Sequence, residues 1–341
     1  MNRPRKIAAL LLAVVLVAVA FAWVPVQGFL STPVTVAEGG TTFDIRPGTS
    51  FGEISRQLEH AGIIRSADML RWYARWTDTA GSVQAGEYLI EAGTTPVALV
   101  QQFTSGNVRL YSFTIIEGWN YRELLQALHA HPQVAAEMTA EDWPALLSQL
   151  GADTRVPEGM FLPETYRFPK GSSDRALLAQ AYEHMQAALQ EEWAGRDTTS
   201  QVGTPYEALV LASIVEKETA RIDERKKIAG VFSRRLEKRM RLQTDPTVIY
   251  GIGPDFNGNL TRRDLRTDTP YNTYTRHGLP PTPIAMPGRA AIHAALHPAT
   301  GEELFFVATG LGDGTHKFST TKDEHDAAVR EYLQRLREQR R

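Results

Sequence analysis

An unbroken apolar run, IAALLLAVVLVAVAFAWV, extends from Ile7 to Val24. Its length is at the short end of what a membrane-spanning helix needs, about 17–25 residues. Arg3, Arg5 and Lys6 precede it, and such basic flanks predict a cytoplasmic N-terminus with the remainder exported. Ala18-Val19-Ala20 and Ala20-Phe21-Ala22 also resemble small-residue cleavage sites, so a removable signal peptide is the alternative. The length of the run and Trp23 at its far end favour a retained anchor. The pattern therefore predicts a cytoplasmic tail (1–6), a single-pass anchor (7–27) in the cell (inner) membrane and a periplasmic or otherwise extracytoplasmic remainder. No later segment is long and apolar enough to span again.

Glycines, prolines and small residues over 28–40 read as a tether. Thr42–Ile45 alternates as a strand does, Pro47-Gly48-Thr49 turns, and Ser50 can cap a helix to about His60 with Ile54 and Leu58 on one face. A second helix is predicted over Ala67–Trp76 and a returning strand over Gly86–Ile90. Thr95 then caps a helix with Pro96 at its first position, and Gly106-Asn107 ends it. The stretch PGTSFGEISRQL resembles the opening of LysM-type glycan-binding modules, so 41–107 is read as a LysM-like βααβ subdomain, a small support domain being the plainer alternative. Beyond it, Val108–Ile116 reads as a strand, and Asn120 with Glu123 forms a capping box for the next helix. Residues 131–156 read as loop-rich, and helices are expected over Asp174–Trp193 and Lys322–Glu338. The predicted class is α+β: a transmembrane helix, the small subdomain and a larger mixed α/β domain over 108–341.

Thr204-Pro205 marks the start of a helix through LASIVEKETA to about Ala220. Positions three and four apart share a helix face, whereas positions two apart point roughly oppositely. Glu218 falls in line with Leu211, Ile214, Val215 and Ile222, while Glu216 falls with Ala212, Ser213 and Ala220. A carboxyl among apolar neighbours loses hydration, so its pKa rises toward what a general acid near neutral pH needs. Pairing of Glu218 with an arginine, Arg221 or one of the next helix, is the plainer reading of the same residue.

Charge and cysteine content narrow the field. The formal net charge of −2 offers no basic field for nucleic acid. With no cysteine, disulfides, thiolate metal sites and a cysteine nucleophile are excluded. His293 and His297 have metal-ligand spacing, but no nearby glutamate completes an H-E-x-x-H pattern, so no metal is expected. Ser213 lacks the glycine elbow of a serine hydrolase.

The blocks LASIVEKETA (211–220), RLQTDPTVIYG (241–251) and TPYNTYTRHGLPPTPIAMPG (269–288) resemble the signature blocks of the YceG-like family, and EGW (117–119) and PEGMFLPETY (157–166) fit it too. The resemblance covers essentially the whole chain. It implies a membrane-anchored, endolytic peptidoglycan lytic transglycosylase whose catalytic glutamate, the one before the Thr of EKET, maps onto Glu218. The Glu-Thr pair is similar to the Glu-Ser pair of other lytic transglycosylases. Such an enzyme closes a 1,6-anhydro ring on N-acetylmuramic acid with one acid/base and no cofactor. Candidate substrate contacts are Gln243, Thr244, Asp245, Tyr271, Asn272 and Tyr274, since aromatic and amide groups suit sugar faces and N-acetyl groups. Asp245 is also the rival second carboxylate that would make a hydrolase, but a turn with Pro246, or hydrogen bonds that order the loop, is the favoured reading, with a substrate contact still open. A glycan-binding scaffold without activity is the remaining alternative. Expected partners are glycan strands, the membrane and peptidoglycan synthases.

Overall fold

A computed structural model describes residues 23–198 and 200–339. Most of the predicted anchor, 7–22, lies outside the described residues. Residues 23–31 are helical, and among the described residues no helix is long and apolar enough to cross a membrane. The chain folds as two compact units.

The first unit runs to Tyr111 and includes Arg167–Gly171. Strand β1 (Thr41–Ile45), helices α1 (Phe51–His60) and α2 (Ala67–Trp76), strand β2 (Gly86–Ile90) and helix α3 (Pro96–Ser105) follow in order. β1 and β2 are antiparallel, with Thr41 opposite Ile90 and Ile45 opposite Gly86. Each helix starts on a hydroxyl: Ser50, Ser66 and Thr95 accept hydrogen bonds from the backbone N–H of Glu53, Met69 and Ala98. Gly106 stops α3 in the left-handed conformation, at φ 69°. The alternating inward residues Phe43, Ile45, Tyr88 and Ile90 pack on Ile54, Leu58, Leu70, Leu99 and Phe103.

The unit extends past the sequence-read boundary at residue 107. Buried Glu87 accepts from Lys170 Nζ at 2.8 Å and from the Tyr111 hydroxyl, which ties both later segments to β2. Those hydrogen bonds, Lys170's first, hold its carboxyl below the usual glutamate range despite burial. The chain passes between the units within strands β3 (Leu110–Thr114) and β4 (Thr165–Pro169), which form a second two-stranded sheet.

The larger unit is mostly helical: α4 (Tyr121–Ala130), α5 (Trp143–Gln149), α6 (Asp174–Ala194), α7 (Pro205–Glu218), α8 (Ile222–Glu237), α9 (Asp245–Ile252), α10 (Arg262–Arg266), α11 (Arg289–Leu296) and α12 (Lys322–Gln339). Strands β5 (Phe305–Ala308) and β6 (His316–Ser319) form an antiparallel hairpin. Small sheets beside segregated helices make the class α+β, as the sequence predicts. α7 is the central element. Ala208 to Val215 are all buried, and α6, α8, α9 and α11 pack around it. A helix apolar on all sides belongs in a core.

Two local readings change. The stretch 131–156 contains α5, which buries Trp143, Leu146 and Leu147. Its start is hard to read because Asp142 turns its carboxylate to the Thr139 N–H and hydroxyl instead of capping the helix. And α7 stops at Glu218, not Ala220: Thr219 is extended (φ −148°, ψ 134°), and its hydroxyl accepts from Arg221 N–H at 3.0 Å.

Candidate active site

The two glutamates of α7 differ in their partners more than in their burial. Glu216 Oε1 accepts from the Arg225 guanidinium at 2.7 Å, and its Oε2 accepts from the Gly288 N–H at 3.0 Å. The side chains of Arg225 and Glu216 are only 4% and 5% exposed. Arg225 also reaches Glu117 at 3.2 Å. A Cβ on Gly288 would lie 1.8 Å from Glu117 Oε1, so a larger residue here would displace the Glu117 side chain. The cluster binds together the EGW, EKET and MPG blocks.

Half-buried Glu218 makes no ion pair among the described residues. The arginine pairing expected for it is taken instead by Glu216, and Arg221 pairs with Asp223. The Glu218 Oε1 accepts from the Thr244 hydroxyl. Burial pushes its carboxyl up to about 7; the Thr244 hydrogen bond opposes this, the Asp245 charge adds to it, and the charges of His316 and Arg235 oppose it. Its position as the last residue of α7 acts in the same direction as burial, because a helix C-terminus disfavours negative charge. Burial raises the Glu216 carboxyl as well, against the Gly288 N–H and the Arg225 charge. The face argument from sequence does not separate the two, since both residues are half-buried, with exposed Lys217 between them. What separates them is that Glu216 is tied to a buried arginine and a backbone amide, while Glu218 has a hydroxyl donor.

The segment leading to Asp245 is held firmly. Gln243 has φ +50°, a conformation that costs a non-glycine residue on the order of 1 kcal/mol and persists only where surroundings impose it. The surroundings are visible: Gln243 N–H donates to Thr273 O at 3.2 Å and Thr244 N–H to Thr273 Oγ1 at 3.1 Å. Buried Arg235 donates to the carbonyls of Leu242 (2.9 Å), Arg241 (3.1 Å) and Leu304 (2.6 Å). Asp245 opens α9, and its Oδ1 accepts from the Tyr274 hydroxyl at 2.5 Å. A cleft of ≈ 570 Å³ runs beside this point, lined by Gly118, Asn120, Lys217, Pro246, Tyr250 and Ile284 among others. Lys217, which precedes Glu218 in the chain, and Pro246, which follows Asp245, line this open, partly aromatic groove, whereas Glu218 and Asp245 themselves do not. A half-buried acid with a raised pKa and no ion-pair partner among the described residues is suited to protonating a leaving oxygen.

Residues 43–331 match the YceG-like family. This chain belongs to that family. It is 31% identical over 307 residues to the endolytic murein transglycosylase of Bacillus subtilis, covering 85% of this chain and 84% of the relative. It is 28% identical over 327 residues to that of Streptococcus pneumoniae serotype 2, covering 86% of this chain and spanning 58% of that longer relative. A crystal structure of a YceG-like protein from Listeria monocytogenes is similar as well, at 27% identity and a TM-score of 0.54, over 85% of this chain and 99% of the other.

The candidate substrate contacts of this YceG-like protein fall into three groups. Gln243 and Asp245 are exposed. Tyr271 and Tyr274 are half-buried; the Tyr271 hydroxyl bonds Thr282 at 2.9 Å, and its ring meets Tyr250 edge-on at 4.9 Å. Thr244 and Asn272 are buried. The Asn272 amide donates to the carbonyls of Asp264, Leu265 and Thr267, and its Oδ1 accepts from Tyr274 N–H. Its side chain is thus satisfied from within and holds the loop. Thr244, likewise, orients Glu218.

Three further groups are not singled out by the sequence reading. Arg235 and His316 bear on Glu218 through space, and His316 is itself held by Glu224 at 2.7 Å. Glu158, in PEGMFLPETY, is fully buried, accepts from Tyr121 N–H at 3.2 Å, and burial pushes its carboxyl up to about 8. Other candidates resolve simply. The Ser213 hydroxyl donates to Val210 O and accepts from Ile284 N–H in the core. His293 and His297 do find a carboxylate: Glu192 of α6 could join them as metal ligands, their ligand atoms lying within 4.8 Å of one another. Glu192 is already engaged by His293 Nδ1 and Arg289 Nε, each at 2.8 Å, so an ion-pair network accounts for the group.

Proposed function

We propose that this chain is a membrane-anchored lytic transglycosylase that cuts peptidoglycan glycan strands internally, with Glu218 as the single acid/base. The observation that carries this reading is the Glu218 carboxyl, pushed up to about 7, without an ion-pair partner among the described residues and held by the Thr244 hydroxyl, one residue along the chain from cleft-lining Lys217. The names of the bacillar and pneumococcal relatives support the reaction class. The apolar run 7–24 behind a basic flank supports the anchor and an extracytoplasmic site.

In this mechanism protonated Glu218 donates its proton to the glycosidic oxygen between N-acetylmuramic acid and N-acetylglucosamine. The bond from that oxygen to muramyl C1 breaks. The resulting carboxylate takes the proton of the muramyl C6 hydroxyl as O6 bonds C1, closing the 1,6-anhydro ring and restoring the acid. No water is consumed, so a second carboxylate is unnecessary. Thr244 fixes the orientation of the acid, and Asp245, anchored by Tyr274, raises its proton affinity.

Mass spectrometry of the products from purified peptidoglycan tests the reading. Anhydro ends are expected; reducing ends would assign a hydrolase using Glu218 with Asp245, and intact strands a glycan-binding scaffold. The pH profile carries a second expectation. Glu218 must be protonated to start the reaction, so kcat/KM should hold below about pH 7 and fall roughly tenfold per unit above it. A profile flat to pH 9 would remove Glu218 as the acid. An anchored cutter would act on nascent strands beside the synthases that extend them, and crosslinking in cells should recover such a synthase.

A further inference from the structure

Trp23 is the penultimate residue of the apolar run and the first described residue. Its indole meets Trp72 edge-on at 6.0 Å and Trp76 edge-on at 5.6 Å, and those two rings stack on each other at 5.8 Å with 11° between planes. Trp72 and Trp76 lie four apart on α2 and so share a face. The three are 36%, 44% and 61% exposed, and Val24 beside them is 72% exposed. None belongs to the core of its unit. Half of the six tryptophans of the chain are thus gathered on one solvent-facing patch, where single exposed aromatics would need no explanation. Arg75 is exposed on the same helix next to Trp76.

We propose that Trp23, Trp72 and Trp76 seat α2 of the N-terminal unit in the headgroup region of the lipid bilayer. This rests on the proposed anchor. Tryptophan favours the boundary between headgroups and hydrocarbon, where its ring is dry and its N–H is wet. The patch begins at Trp23, one residue before the apolar run ends, so the chain itself brings it to that depth. Arg75 adds a charge suited to anionic headgroups. A sugar platform would need open ring faces, whereas here Trp72 and Trp76 cover part of each other's faces and Trp23 abuts both. With the second unit tethered through the same chain, the seat would limit the tumbling of the anchored enzyme.

The absence of cysteine makes the test direct. Full-length protein carrying Arg75→Cys, labelled with an environment-sensitive fluorophore, is reconstituted in vesicles of phosphatidylcholine and phosphatidylglycerol with headgroup-linked quencher lipids. Roughly twofold or greater quenching is expected at 75, none at a control label on exposed Asp323→Cys, and loss of the signal at 75 on adding Trp72→Ser and Trp76→Ser. If the melting curve shows that the double change unfolds the unit, Trp76→Ser alone serves. A label at Val15→Cys reports on the anchor. An aqueous label at 75 with a buried label at 15 overturns this proposal alone, while aqueous labels at both overturn the anchor as well. A label at 75 that responds to purified glycan strands but not to vesicles overturns it in favour of a sugar platform.

Discussion

Glu218→Gln is expected to abolish glycan cutting, by a factor of about 10²–10⁴ for loss of a general acid, and at the same time to stabilise the protein. The stability effect follows from the pKa. Glu218 titrates at about 7 in the fold, above the ordinary glutamate value, so the folded state binds its proton more tightly than the unfolded state. Stability tied to that proton is present below the unfolded pKa, declines as pH rises between the two values, and is fully lost above about 7. The charged form therefore costs on the order of 2–3 kcal/mol at pH 8 and nothing at pH 4. Glutamine never carries that charge and can still accept from the Thr244 hydroxyl. Denaturation midpoints of the two proteins should thus diverge as pH rises from 5 to 8, with the variant the more stable. A variant that still releases anhydro products would end the assignment of Glu218.

Glu216→Gln should do the reverse. Arg225 is buried and relies on Glu216 and Glu117 for its compensating charge. Weakening a buried pair by removing one charge is expensive, about 3 kcal/mol or more. The variant is expected to unfold at clearly lower denaturant or temperature. Below its transition it should still cut, because the substituted group faces Arg225 and the Gly288 amide. A folded Glu216→Gln protein without activity would mean that partner identity does not distinguish the two glutamates.

Much of the architecture was legible because it depends on near neighbours in the chain. Ser50, Thr95-Pro96, the Asn120–Glu123 capping box and Thr204-Pro205 start helices where the sequence places them, since each cap bonds an amide two or three residues away. The signature blocks carry the family, and Glu218 stands out in the sequence alone. The geometric half of that argument was incomplete: a helical wheel treats α7 as having a wet and a dry face, and α7 has none that is wet through Ala208–Val215.

The tertiary structure decided which side chains are occupied. Glu216 is matched with Arg225 of the next helix and with an amide 72 residues on. Asn272, inviting as a sugar ligand, is consumed by carbonyls of its own loop. Arg235 holds the strained turn that presents Thr244, and the β5–β6 hairpin carries His316 toward Glu218. The sequence by itself determined the segments, the caps and the family. The state of each carboxyl depended on charges and donors distant in the chain, because desolvation and hydrogen bonding are set by what packs in space and not by what is adjacent in order.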